Sequence, residues 1–230
     1  MSLDHFASSL ERLLSTVTQG TAEIIDRALS GHDITVDEAT RLFDADGSDL
    51  LALIAAADRL RAQTVGDVVT YVINRNINFT NVCVKGCGFC AFSRGHLAEE
   101  GYFLPIEEIL RRAQEARDLG ATEVCVQAGL APGMDGWHYV KLCRALKENL
   151  PDLHIHGFSP EEVLYGSTIA GVSVREYLVA LKAAGVGSLP GTSAEVLVEE
   201  IRQQVSPGRI SAEQWIELIQ AAHELSIPTT

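Results

Sequence analysis

The chain has 230 residues, 47% of them hydrophobic and 21% charged, a composition that fits a globular protein and excludes a disordered one. Eighteen Lys and Arg against 31 Asp and Glu give a formal net charge of −13, and with no clustered basic surface nucleic acid is not expected as a partner. The longest apolar run, residues 50–57, is far short of the roughly 18 needed to cross a bilayer, and the acidic start MSLDHFASSLERLL has no signal-like apolar core; a cytoplasmic protein without a membrane partner is expected.

Residues 1–75 read as a helical segment. Leu10, Leu13 and Leu14, then Ile24, Ile25 and Leu29, recur at helical spacing, with Gly31 as a stop. Thr35 followed by Glu38 forms a capping-box pattern that opens the helix VDEATRLF. Ser48 and Asp49 are expected to cap a longer helix running to residue 73, with Leu50, Leu53, Ile54, Ala57 and Leu60 on one stripe.

From residue 76 short strands alternate with helices. Strands are expected at 76–82, 123–129, 153–158 and, weakly, 186–190, with a fifth starting at Ile227. Between the first two, PIEEILRRAQEARDLG has Pro105 at its start, glutamates early, arginines later and Gly120 just past its end. This alternation implies parallel strands with right-handed crossovers. The expected class is α/β: a partial (β/α) barrel over residues 76–230, behind the helical segment. A closed eight-stranded barrel takes about 250 residues, so four βα units and a stump read as an open sheet or, the favoured reading, as part of a longer barrel. A chain cut there is expected to be poorly active and aggregation-prone, because it exposes strand edges and half a cavity.

The strands have one apolar and one polar face. Ile77 and Phe79 oppose Asn78 and Thr80; Val124, Val126 and Ala128 oppose Cys125, Gln127 and Gly129; Leu153 and Ile155 oppose His154 and His156. In a barrel the apolar face packs under helices and the polar face points inward. Thr80, Gln127 and His156, nearest the C-terminal strand ends, are expected to line the mouth where barrel active sites lie.

Five cysteines, three of them within eight residues, make a poor disulfide framework and read better as metal ligands. Cys83-Val-Lys-Gly-Cys87-Gly-Phe-Cys90 follows the first strand directly. Three thiolates can hold three corners of an iron–sulfur cubane and leave the fourth iron without a protein ligand. Gly86 and Gly88 are expected to let the loop bend around it. A three-cysteine, one-histidine zinc site using His96 is the alternative. Cys125 and Cys143 read as core packing.

This CxxxCxxC loop, with the aromatic Phe89 before its third cysteine, resembles that of the radical S-adenosylmethionine superfamily. The resemblance implies a 4Fe-4S cluster on Cys83, Cys87 and Cys90 whose open iron binds S-adenosylmethionine, and reductive cleavage to a 5′-deoxyadenosyl radical. It places Phe89 near the adenine and Gln127 and Gly129 at a cofactor contact, while Thr80 is a further cofactor-binding candidate from its expected place at the mouth. The superfamily's Gly-Gly-Glu element falls on Gln127-Ala128-Gly129, a departure from that pattern.

NRNINFTNVCVKGCGFCAFSRG (74–95), HIHGFSPEEV (154–163) and SLPGTSAEVL (188–197) together resemble the tyrosine-using subunit of the deazaflavin (FO) synthase pair. The related futalosine enzymes of menaquinone biosynthesis usually show LPGGGAE where this chain has Leu189-Pro-Gly-Thr-Ser-Ala-Glu195. The resemblance implies a transferase that joins the 4-hydroxybenzyl group of L-tyrosine to 5-amino-6-(D-ribitylamino)uracil. A flavodoxin or ferredoxin would act as reductant and a ring-closing partner subunit would complete the deazaflavin. Glu162 is a candidate for binding an ammonium or ribose, or an N-terminal helix glutamate after Pro160. His156 is a proton donor or a hydrogen-bonded core histidine. Lys85 either softens the cluster's charge or faces solvent. The remaining readings are a futalosine-pathway enzyme and a non-catalytic metal-binding fragment.

Overall fold

The computed structural model describes residues 15–93 and 101–230; Leu10, Leu13, Leu14 and His96 lie outside them. The chain divides into two compact units at Thr70/Tyr71.

The first unit holds α1 (Gln19–Leu29), α2 (Val36–Phe43) and α3 (Gly47–Val65). Thr35 and Glu38 make the reciprocal capping box that their spacing predicts. Ser48 and Asp49 do not cap α3. The N-cap residue is Asp46, and the Asp49 carboxylate instead accepts the Thr18 N–H and hydroxyl at 2.8 and 2.6 Å. Nor does α3 reach residue 73: it stops at Val65, before Gly66 at φ 66°, a backbone state that glycine adopts without strain. The expected stripe is not a core face, since Leu50, Ile54 and Leu60 are all exposed and Ala52 is the buried residue of this helix.

The second unit is a parallel sheet covered by helices. Strands β1 (Asn74–Ile77), β2 (Glu123–Val126) and β3 (His154–His156) lie in the order β1-β2-β3. Single parallel bridges continue it from His156 to Ser188 and from Leu189 to Thr229. The two weakest expected strands are thus present only as bridges. β1 begins two residues earlier than expected and ends at Ile77, because the chain then turns into the cysteine loop. Beyond it, pairing with β2 continues irregularly: Asn78 Nδ2 donates to the Gln127 carbonyl at 2.5 Å, and the Gly129 N–H to that of Thr80 at 3.1 Å.

The two-faced strands fold as their alternation requires. Ile77, Phe79, Val124, Val126 and Ile155 are fully buried with Ile109, Tyr139, Leu142, Leu146, Leu178 and Leu181 in one core, each such side chain contributing about 1.5–3 kcal/mol of transfer free energy. These come from α4 (Ile106–Asp118), α5 (His138–Asn149) and α7 (Val174–Ala183). The other helices are α6 (Pro160–Ala170), α8 (Glu199–Val205) and α9 (Ala212–Glu224). On the opposite sheet face the register sets two polar rungs side by side, Asn74–Glu123–His154 and Asn76–Cys125–His156. Cys143 is buried in the core as expected, whereas Cys125 is half-buried on this polar face, 3.7 Å from Gln127 Nε2.

Candidate active site

A cavity of about 230 Å³ opens at the C-terminal ends of β1 and β2, and Cys83, Cys87 and Cys90 all line it. The loop that carries them is pinned on both sides. Val84 N–H donates to the Leu130 carbonyl at 3.0 Å, after β2, and Gly88 N–H to the Val205 carbonyl at 2.8 Å, at the end of α8. Gly86 and Gly88 do not supply the bend through a left-handed backbone, because neither has a positive φ. The glycine that the packing demands is Gly129: a Cβ there would lie 2.3 Å from the Val82 carbonyl oxygen, so the end of β2 presses directly on the cysteine loop.

Of the expected cofactor positions, Phe89, Gln127 and Gly129 line the cavity. Thr80 does not, contrary to its expected place at the mouth. It is fully buried, its hydroxyl donating to the Tyr102 carbonyl at 2.6 Å and accepting Val82 N–H at 3.1 Å. His156 also lies outside the cavity wall, one rung below Asn78 and Gln127, with Nδ1 2.7 Å from Ser188 Oγ.

Glu162 lines the cavity yet is 2% exposed. As the third residue of α6 it closes a capping box with Ser159: one carboxylate oxygen accepts the Ser159 N–H and hydroxyl, at 2.8 and 2.6 Å. The other accepts Ala128 N–H at 2.9 Å. The side chain therefore ties α6 to the end of β2, and burial pushes its carboxyl up to about 7.

The charged residues that surround the thiols come largely from segments where no local pattern singled them out. Glu161, also buried, accepts Ile210 N–H at 2.6 Å and meets Lys85 Nζ at 3.2 Å and Arg209 Nε at 3.8 Å. Lys85 also donates to the Gly208 carbonyl, so it is held over the loop and does not simply face solvent. Arg209 pairs with Glu195 at 3.2 Å, donates to the Ser193 hydroxyl and stands 5.7 Å over the Phe89 ring, a cation–π distance. Behind it, the buried Arg202 donates to the carbonyls of Ser193, Val196 and Ile210 at 2.6, 2.8 and 2.5 Å. Burial raises the Cys87 thiol while the Arg209 guanidinium opposes it.

This donor set fits an iron–sulfur cluster. Among the described residues no three Cys, His, Asp or Glu side chains converge as ligands of one metal ion. The three thiols all line one cavity, where each sulfur could take a different iron, with two cations in the same wall to offset thiolate charge.

Comparison with known proteins agrees with this geometry. Over 210 residues, 91% of this chain, it is 47% identical to the 5-amino-6-(D-ribitylamino)uracil–L-tyrosine 4-hydroxyphenyl transferase of Methanothermobacter thermautotrophicus, covering 57% of that protein. It is 48% identical over 194 residues, 84% of the chain, to the FO synthase of Streptomyces coelicolor, of which it covers 22%. The chain thus spans little more than half of the first of these relatives. Among solved structures, methylornithine synthase matches with a TM-score of 0.61 at 20% identity, over 90% of this chain and 57% of that one. A maturase of the FeFe-hydrogenase matches at 0.67 and 19%, over 98% and 48%; both show the fold alone. The Radical SAM superfamily model matches residues 77–230, the part that carries β2, β3, the three thiols and the cavity, and the chain belongs to the radical SAM superfamily.

Proposed function

We propose that the chain acts as a radical SAM transferase that joins the 4-hydroxybenzyl group of L-tyrosine to 5-amino-6-(D-ribitylamino)uracil in deazaflavin formation. The observation that carries this reading is a three-thiol cavity in a chain 47% identical, over 91% of its length, to a transferase of that name. The 4Fe-4S cluster and S-adenosylmethionine, when bound, supply reductive cleavage chemistry that begins a hydrogen-atom abstraction.

The protein's own residues supply the rest. Cys83, Cys87 and Cys90 hold the irons, and Arg209 and Lys85 balance the thiolate charge. Phe89 offers a ring face beside the cluster for a planar base. Gln127 and Gly129 sit where β2 meets the cysteine loop and present polar and backbone groups to a bound cofactor. Glu162 fixes the β2 end against α6, and the carboxylate oxygen that accepts only Ala128 N–H keeps a lone pair for an ammonium or a ribose hydroxyl. The polar sheet face holds His156 within reach of substrates laid over it, and the helix-covered core on the other side keeps the sheet rigid and dry, as reactive chemistry requires. The reaction also needs a reductant, a flavodoxin or ferredoxin, and a ring-closing partner subunit to use the product. No helix of the described residues is long and apolar enough to cross a membrane, which suits a cytoplasmic enzyme fed by soluble substrates.

Anaerobic reconstitution tests the reading. About four irons per chain, with cleavage of S-adenosylmethionine that depends on tyrosine and the ribitylamino-uracil, is the expected result. Zinc in place of iron, or turnover only with a futalosine precursor, overturns it. Replacing any of Cys83, Cys87 or Cys90 by Ser should abolish iron retention while the chain stays folded by circular dichroism, whereas Cys125→Ser should leave the iron count unchanged.

A further inference from the structure

The polar face of the sheet carries a connected set of groups that the cluster site does not use. Ser188 is buried, and both neighbouring imidazoles converge on its hydroxyl: His154 Nε2 at 2.8 Å and His156 Nδ1 at 2.7 Å. Glu123 Oε2 lies 3.9 Å from the same His154 nitrogen. Backbone bonds fix the hydroxyl in place, since Gly187 N–H donates to the Ile155 carbonyl at 2.9 Å and Gly157 N–H to that of Ser188 at 3.0 Å. Gly187 is required here, because a Cβ would stand 2.3 Å from the His154 ring.

A hydroxyl has one proton to give, so two ring nitrogens that meet it cannot both accept from it. The arrangement that uses the hydroxyl as both donor and acceptor has one ring nitrogen donating to it and the other accepting from it, which would couple the protonation of the two histidines through Ser188. The two ends of the set differ in surroundings. His154 keeps 43% of its side chain exposed and meets a carboxylate, whereas His156 is disfavoured as a cation by burial and by His154, against the opposing pull of Glu123. Among the described residues His156 Nε2 has no protein partner, and it belongs to the rung just below the Asn78 and Gln127 that line the cavity.

We propose that His156, Ser188, His154 and Glu123 form a proton relay across the sheet, which takes a proton from an O–H or N–H of a substrate lying on this face. The assignment of this face to substrate rests on the function proposed above; the relay itself rests on the geometry. The substrate proton goes to His156 Nε2, His156 Nδ1–H passes its proton to Ser188 Oγ, and the original Ser188 hydroxyl proton moves to His154 Nε2. The positive charge then stands on His154 beside Glu123, and the proton leaves to water from that exposed ring. Only protons move, the substrate is left as its conjugate base, and no oxidant is needed. His156 is the group that would touch substrate; Ser188, His154 and Glu123 are positioning residues that act through it.

Nitrogen-15 imidazole NMR on the folded chain, with neither cluster nor substrate, tests the relay. In the unaltered protein both rings are expected as Nδ1–H tautomers, with His154 Nε2 accepting, and their titrations should be interdependent. Ser188→Ala should remove the coupling between the two histidines and, with the acceptor of the His156 Nδ1–H gone, speed exchange of that N–H by roughly tenfold, the order of one lost hydrogen bond. Ser188→Thr, which keeps the hydroxyl, should preserve the coupling, and His154→Leu should free the Ser188 hydroxyl to donate to His156 Nδ1, shifting His156 toward its Nε2–H tautomer, even if Ser188→Ala fails to fold. Unchanged tautomers and exchange in Ser188→Ala, or an unshifted His156 tautomer in His154→Leu, would overturn the relay. Because nothing in this experiment depends on iron or turnover, its failure leaves the transferase reading intact, and failure of that reading leaves the relay open to the same test.

Discussion

A carboxyl group with almost no exposed surface makes stability depend on pH, and Glu162 is that group here. Its folded-state value of about 7 lies above the ordinary 4.5, so the folded chain holds the proton more tightly than the unfolded one. The stabilisation is complete below about pH 4.5 and is lost as pH rises through about 7, a swing on the order of 3 kcal/mol. Thermal unfolding followed by circular dichroism should show a midpoint that falls between about pH 5 and pH 8. In Glu162→Gln that fall should flatten, and at low pH the variant should be less stable by about 1–2 kcal/mol, because an amide nitrogen cannot accept from Ser159 or Ala128. Gly129→Ala tests a second single-residue constraint. A methyl 2.3 Å from the Val82 carbonyl oxygen must displace backbone, so a loss of about 1–3 kcal/mol and weaker iron retention are expected, read by chemical denaturation and iron analysis. At this scale the thiols were legible from spacing alone, as was the choice between helix glutamate and ligand posed at Glu162. Thr80 was misplaced because alternation tells which face a residue takes, not whether the chain has already turned away from the mouth. Arg209 and Glu161 were not found: the contact of the cysteine loop with the 205–210 turn joins residues 123 apart, as between Lys85 and Gly208, and no local pattern announces it.

Helix starts in this chain repeat one device. Thr35 with Glu38, Ser159 with Glu162, Ser173 with Glu176 and Ser211 with Gln214 all form capping boxes. Ser173→Ala, at the exposed start of α7, should cost about 1 kcal/mol in denaturant unfolding, without touching the iron site. Only the first of the four was read from sequence, although the other three carry the same four-residue signature. Strand boundaries were harder. Burial of Phe79 extends the alternating pattern past the last ladder bond of β1 at Ile77, so pattern and pairing part company there. The helix expected to run to residue 73 fails for the opposite reason: its apolar run masks Gly66, and Val68, Val69 and Tyr71 stand exposed beyond it.

On the scale of the molecule, the exposed, irregular stretch between Gly66 and Ile73 separates two units with their own internal contacts. Limited digestion with elastase, which favours small apolar residues, should cut at Val65, Val68 or Val69 and release a C-terminal fragment that keeps its mixed helix and sheet spectrum. Loss of all secondary structure on cleavage would show that the two units fold only together. The parallel α/β architecture was readable because the apolar and polar faces alternate in register across three strands. The weak strands at 186–190 and beyond Ile227 appear only as bridges, since single pairings leave little periodicity in a sequence.

Arg202 has a consequence for how such chains vary. One guanidinium grips carbonyls on both flanks of α8, so the segment from Ser193 to Ile210 is closed like a ring of fixed circumference. Extra residues on its outward arc can bulge into water while Arg209 and the turn beside the thiols keep their pose. Related proteins are therefore free to lengthen or recolour that arc, and the clasp, which needs a planar fork and cannot be served by lysine, should be the feature that they share.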